Sequence, residues 1–296
     1  MKKTIAVLLS AVICVSAFAQ GNSAMSFSAI PRDARTLAMG GVSNLKSLPV
    51  WGLGSEKFDV QAAYASWAPK SGSKSSDFDF NLLGKIGSKF VFNITGAYFA
   101  GVPYGTVSSL GAPSGTFKPS DMVLGLGLGY NILSNLSLGV NLNYLKSNLA
   151  AQSSLSALSF DAVVAATFGD FKLAGGLKSF GTDVVSQSGS QFSLPTDVTL
   201  LGAYSLSDGQ KSRFDFAAQI DYFLSSGFRM GLGGEYTFNE IVSARLGYNY
   251  GGKSVLPSFV SLGAGVKYSG FKLDLTYLLL SETVGGTFMV GLGYAF

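Results

Sequence analysis

The chain has 296 residues, of which 47% are hydrophobic and only 13% charged, with 38 glycines and a net charge of +4. A soluble domain carries about 25% charged residues, so too little charge is present to coat a soluble globule of this size. After residue 20 no apolar run approaches the roughly 18 to 20 residues a membrane helix needs, and in lipid only helices and closed barrels satisfy every backbone group. A closed barrel is the membrane option that remains. There is no histidine and only one cysteine, Cys14, which removes Ser-His-Asp and Cys-His catalysis and the usual zinc sites. We therefore expect no enzyme, no metal and no cofactor.

Residues 1 to 19 read as a secretory signal. Lys2 and Lys3 form its charged start, Thr4 to Val15 its apolar stretch, and Ala17-Phe18-Ala19 a small-x-small cleavage site that leaves Gln20 as the mature start. Cys14 lies inside this leader, so the mature protein is expected to hold no thiol, disulfide or lipid anchor. The leader lysines carry half of the net charge, and what is left argues for neither a nucleic-acid nor an anionic partner.

Residues 20 to 56 do not alternate cleanly. Arg32, Asp33 and Arg35 bring three charges together just before Ala38-Met39-Gly40-Gly41, where small residues let the backbone approach a neighbour closely. The run Ala34-Arg35-Thr36-Leu37-Ala38-Met39-Gly40-Gly41 resembles the N-terminal signature of the PorV/PorQ family, relatives of the FadL-type transporters, in the outer membrane of Bacteroidetes. The Asn-Pro-Ala element common in that family is missing: Val42-Ser43-Asn44-Leu45-Lys46 follows instead. The resemblance implies an N-terminal hatch folded inside a barrel. It carries two functional expectations: passive transport of hydrophobic small molecules, or a partner role in type IX secretion. A purely structural barrel is a third. Arg32, Asp33, Arg35, Met39, Gly40 and Gly41 are the expected plug contacts, with the arginines meeting lumenal Asp215, Asp221, Glu235 or Asp274.

From residue 57 to 296 the chain alternates repeatedly. Strands are expected near 57–68, 76–86, 89–101, 121–132, 135–147, 157–168, 171–180, 194–206, 212–223, 227–238, 241–250, 258–268, 271–280 and 285–296. Fourteen is an even number, as in single-chain bacterial barrels. The fold expectation is thus an all-β, membrane-spanning, antiparallel up-and-down barrel with a short N-terminal plug. Tight turns such as Gly87-Ser88, Gly169-Asp170 and Ser269-Gly270 alternate with longer stretches at 69–75, 102–120, 148–156, 181–193 and 251–257. Turns facing the periplasm and loops facing outside would produce that rhythm, and both termini are then expected on the periplasmic side.

Successive side chains of a strand point to opposite faces. Leu136, Leu138, Val140, Leu142 and Tyr144 alternate with Ser137, Gly139, Asn141 and Asn143, and Phe214, Phe216, Ile220 and Tyr222 with Arg213, Asp215, Gln219 and Asp221. The first set of each is assigned to lipid and the second to the lumen. The same rule puts Arg229, Glu235, Arg245, Lys267, Lys272 and Asp274 inside, because a cation at the lipid midplane costs about 2 to 4 kcal/mol. A salt-bridged interior accounts for these carboxylates better than a general acid/base pair. Gly125 to Gly129 and Gly231 to Gly234 alternate with leucines inside strands and lack the strand-turn-helix context of a phosphate loop. They are expected to thin the wall and make lumenal room.

In the long stretch 102–120, Val102, Tyr104, Leu110 and Phe117 are the candidate uptake site for a hydrophobic ligand, either covering the mouth or folding into it. Packing of this loop on itself is the alternative. The chain ends with Phe288, Val290, Leu292, Tyr294 and Phe296 on one face of a final strand. A closing strand ending on Phe, with Tyr294 before it, resembles the signal read by the barrel-assembly machinery of the Gram-negative outer membrane. Expected partners are therefore that machinery, outer-membrane lipid, a hydrophobic ligand and possible secretion proteins, around a monomer.

Overall fold

The computed structural model describes residues 23–42, 56–67, 75–108, 110–150, 153–186, 189–209, 211–251, 256–280 and 286–296. The expected signal segment, its cleavage site and residues 43–55 of the expected N-terminal hatch lie outside them. A five-residue helix, α1 (Ala34–Ala38), precedes eighteen strands. These are β1 (Phe58–Trp67), β2 (Ser75–Ile86), β3 (Phe90–Ala100), β4 (Tyr104–Val107), β5 (Pro113–Phe117), β6 (Ser120–Leu133), β7 (Leu136–Ala150), β8 (Ser153–Phe168), β9 (Phe171–Gly181), β10 (Val184–Val185), β11 (Gln191–Phe192), β12 (Asp197–Ser207), β13 (Ser212–Phe223), β14 (Gly227–Phe238), β15 (Val242–Tyr250), β16 (Phe259–Tyr268), β17 (Phe271–Leu279) and β18 (Gly286–Ala295).

Fourteen of them close into an antiparallel barrel in chain order, with β1 beside β18, while β4–β5 and β10–β11 are separate hairpins. Each barrel strand coincides with one expected from alternation. The closure is the seam read from the last ten residues: Tyr64 pairs with Val290 and Ala62 with Leu292. The carbonyl of Phe296 accepts from the amides of Lys57 (2.7 Å) and Phe58 (2.9 Å), and its ring lies 5.3 Å from that of Phe58. Asn239-Glu240 and Ser269-Gly270 take positive φ at both positions, the type I′ geometry whose twist matches a two-residue hairpin.

The facing rule holds around the wall. Leu138, Val140, Leu142, Tyr144, Phe214, Phe216, Ile220 and Tyr222 are exposed on the outside, whereas Asn141, Gln219, Asp221, Arg229, Glu235 and Arg245 are buried inside. An apolar belt this continuous is the surface of a protein that sits in lipid. One irregularity supports the rule. Lys178 faces inward and Phe180, two residues on, is 58% exposed outside, which strict alternation forbids. Ser179, at φ 53°, sits at a register shift between β8 and β9, and that bulge turns the next side chain over.

Three expectations need correction. The loop 148–156 is mostly strand, since β7 runs to Ala150 and β8 starts at Ser153: backbone pairing continues past the apolar belt because it does not require apolar side chains. The stretches 102–120 and 181–193 carry the β4–β5 and β10–β11 hairpins rather than being irregular throughout. The described chain also does not begin at the turn end of the barrel. The amide of Ala24 donates to the carbonyl of Ser193, 2.9 Å away, in the connection between β9 and β12, so the N-terminal segment starts at the loop end, opposite Phe296.

Candidate functional site

The N-terminal segment descends from the loop end through the lumen. Asp33 caps α1, accepting the amide of Thr36 at 3.0 Å on one carboxylate oxygen and the Thr36 hydroxyl on the other. This satisfies donors that a helix start leaves open. The helix ends after one turn because Gly40 and Gly41 take φ 71° and 73°, a left-handed geometry that costs glycine nothing; the amide of Gly41 donates back to the carbonyl of Thr36 at 3.0 Å.

This turn lies against a wall stripped of side chains. A Cβ on Gly233 would come 2.5 Å from the carbonyl oxygen of Met39, and one on Gly247 would come 2.5 Å from the carbonyl carbon of Met39 and press on the amide of Gly40. A Cβ on Gly291 would meet that of Ala34 at 3.1 Å. The glycines of β14 thus receive the plug, as their alternation implied. Those of β6 do not: Gly125 lies beneath Thr95 and Asn143, and Gly127 beneath Asn93 and Asn141, whose side chains close over them from the flanking strands.

Lumenal side chains hold the plug by its backbone. The Ser261 hydroxyl donates to the carbonyl of Ala38 (2.9 Å) and accepts the amide of Gly40 (3.1 Å). Thr276 donates to the carbonyl of Ala34 (2.6 Å), and Arg229 to that of Gly41 (3.3 Å). Arg35 makes a bidentate pair with Glu235, both bonds 2.8 Å, and Arg245 bridges Glu235 to Asp274, 2.5 Å away. Met39 and Val42 pack across the lumen on Val163, Ala165, Ala174 and Leu201, so the segment touches both sides of the barrel.

Of the carboxylates expected to meet the arginines, Glu235 alone does, through Arg35. Arg32 turns to the opposite wall, where Asp79 is 3.8 Å away, and donates to the carbonyl of Phe27 at 2.6 Å. Asp215 is taken by Arg213 (2.8 Å) and Asp221 by Arg229 (2.5 Å) and Lys178 (3.2 Å). Lys272 is inside, 2.7 Å from Asp59. Lys267 is not: it reaches Glu56 at 3.2 Å with half its side chain exposed, because at the turn end the inward face opens to solvent. Glu56 is held below its ordinary value by the amide of its own residue and by Lys267.

The candidate uptake loop takes the second of its two expected arrangements and packs on itself. Tyr104 and Phe117 pack on each other across the β4–β5 hairpin, ring centroids 5.7 Å apart and planes tilted by 57°, the Tyr104 hydroxyl donates to the carbonyl of Leu149 at 2.8 Å, and Leu110 at the tip is 94% exposed. The hairpin packs on itself and on the end of β7, above the rim, and Val102 is exposed beside it. A buried apolar cluster lies deeper. Val123, Leu145, Ala157, Val184 and Leu194 enclose Met25, with Phe27 against them. Below it, a cavity of about 210 Å3 separates plug from wall, lined by Asp79, Asn81, Asn143, Asp161, Lys178 and Lys272 among others. Its polarity was only half legible beforehand. Asp77 and Asp79 alternate with Phe78 and Phe80, a signal equal to that of Asp215 and Asp221, whereas the bulge after Lys178 hides its facing.

No protein-family model matches the sequence, and comparison with curated proteins finds no relative. Solved structures share the fold. The toluene transporter TodX of P. putida superposes with a TM-score of 0.60 at 12% identity, covering 90% of this chain and 99% of that one. The toluene transporter TbuX of Ralstonia pickettii gives 0.60 at 12%, covering 91% and 98%, and a Pseudomonas aeruginosa FadL homologue 0.54 at 11%, covering 81% and 90%. The fold is that of the FadL and TodX barrels. At such identities the likeness extends to architecture alone.

Proposed function

We propose that the chain is an outer-membrane channel for small hydrophobic molecules, delivered there by the leader at residues 1–19. The observation that carries this reading is the apolar cluster beneath the loop-end rim, where Met25 of the plug packs among Val123, Leu145, Val184 and Leu194 with Phe27 against them. These two side chains hold the place an apolar solute would take, and the same segment continues into the turn that blocks the lumen. A solute that displaces Met25 and Phe27 loosens the plug from its loop-end anchor. Toluene transport by barrels that share this fold agrees with that chemistry. The test is uptake of radiolabelled toluene by a Gram-negative host without a hydrocarbon channel of its own. Expression is expected to raise uptake above that of a host carrying the empty vector, and no increase from correctly assembled barrel refutes the reading.

The PorV/PorQ-like run Ala34 to Gly41 supports a second reading, a partner barrel of type IX secretion. Here the specific observation is Leu110, 94% exposed at the tip of the β4–β5 hairpin, an apolar contact raised above the rim. Co-purification of an exported protein that is lost in Leu110→Asp would favour it over transport.

A further inference from the structure

Most lumenal carboxylates have a donor close by. Asp59 has Lys272 at 2.7 Å, Asp197 has Lys178 at 3.1 Å and Asp274 has Arg245 at 2.5 Å; Asp161 accepts the amide of Ser179 at 2.7 Å and Asp121 the Ser147 hydroxyl at 2.5 Å. The inward face of β2 is more poorly supplied: Asp77 has the amide of Phe78, and Asp79 has none. Asp77 and Asp79 are 5% and 8% exposed. Both carboxylate oxygens of Asp79, Oδ1 of Asp77 and Oδ1 of Asn81 have no hydrogen-bond partner among the described residues. The nearest cation is Arg32, whose Nε stays 3.8 Å from Asp79 while its Nη2 is spent on the Phe27 carbonyl. Asp33, the neighbouring carboxylate on the plug, is occupied in capping α1.

Buried carboxylates without donors are costly, and the deficit here is of donors and of positive charge alike. Asp79 and Asn81 border the 210 Å3 cavity, whose lining also holds Ile30, Ala97, Val123 and Leu145, while Asp77 and Asp121 border a recess of only about 10 Å3 that Arg32 shares. Acceptors thus stand beside apolar surface. Among the described residues no three metal-ligating side chains are grouped to hold a metal ion, and a hard cation would need six or more oxygens. An ammonium group fits better, since it brings three N–H donors and one charge.

We infer that Asp77 and Asp79 form a lumenal site for a small organic cation, a primary amine carried on an apolar body. This rests on the channel reading above and narrows its substrate class: the apolar body takes the side of the cavity formed by Ile30, Val123 and Leu145, and the ammonium takes Asp79.

The test is isothermal titration of the full-length barrel in detergent with benzylamine and with benzyl alcohol, which share a ring and differ in the cation. Benzylamine is expected to bind at least about tenfold more tightly, the factor that 1.4 kcal/mol supplies, and Asp79→Asn to bring the two within about twofold. Heat-modifiable migration on gels confirms that the variant is a closed barrel; if it does not assemble, Asp77→Asn is read instead. Equal affinity of the two probes for the wild-type barrel overturns the inference, as does a preference that survives in the variant. The toluene-uptake result separates the failures: uptake without amine preference sinks this site alone, whereas loss of uptake sinks the channel reading beneath it.

Discussion

Gly247→Ala isolates the claim that the wall of β15 is thinned to seat the plug. The added methyl would lie 2.5 Å from the carbonyl carbon of Met39 and 2.5 Å from the Ser261 hydroxyl, whereas carbon atoms rest at about 3.5 to 4.0 Å. The plug must therefore retreat by about 1 Å. Ser261 is the hydroxyl that holds Ala38 and Gly40, so steric pressure and loss of those bonds act together. Overpacking of this kind costs about 1 to 3 kcal/mol, and at 1.4 kcal/mol per decade the unseated population rises roughly 5- to 140-fold. Gly234→Ala is the matched control, because its methyl would point outward with Phe216 3.9 Å away, an ordinary contact. The assay is conductance in planar bilayers, paired with limited proteolysis of residues 20–42. Gly247→Ala should leak and be cleaved, with Gly234→Ala like wild type. A heat-modifiable Gly247→Ala barrel with unchanged conductance and protection would refute the reasoning.

Three further outcomes follow from the same geometry. Arg35→Ala should raise leak and expose residues 20–56 to protease; because Arg245 still neutralises Glu235, the cost should stay below the roughly 3 to 5 kcal/mol of a fully orphaned buried charge, and unchanged leak would show that the pair does not anchor the plug. Deleting Phe296 removes the carbonyl that receives Lys57 and Phe58 and the ring against Phe58, so the yield of heat-modifiable barrel should fall, with wild-type yield the contrary result. Glu56 is held below its ordinary 4.5, so its link to Lys267 contributes in full above that value and is lost as pH falls below it. Protease cleavage between Val42 and Glu56 by an acid-active protease should then increase on acidification in wild type and be independent of pH in Glu56→Gln.

Everything readable along the chain is what a strand sets locally. The side chains of Phe214 to Tyr222 and of Arg213 to Asp221 declare their faces because a strand alternates with period two. That period also located all fourteen strands and the seam that closes on Phe296. The inward glycines of β14 were legible for the same reason. Tertiary structure decided everything that depends on which points meet across the lumen. Arg35 had four candidate carboxylates of the right sign and facing, and the seating of α1 on Gly233 and Gly247 brings it to Glu235 while turning Arg32 to Asp79. Nothing in Ser23 to Ile30 says which end of the barrel the segment starts from; the apolar cluster of Leu145, Val184 and Leu194, assembled from three distant stretches, draws Met25 to the loop end. Tyr104 and Phe117 are as apolar as a binding loop requires, but their pairing on each other, fixed by the β4–β5 register, leaves them outside the lumen. Alternation is a property of one strand, whereas charge pairing and cavity shape are properties of a closed ring and emerge only when β1 meets β18.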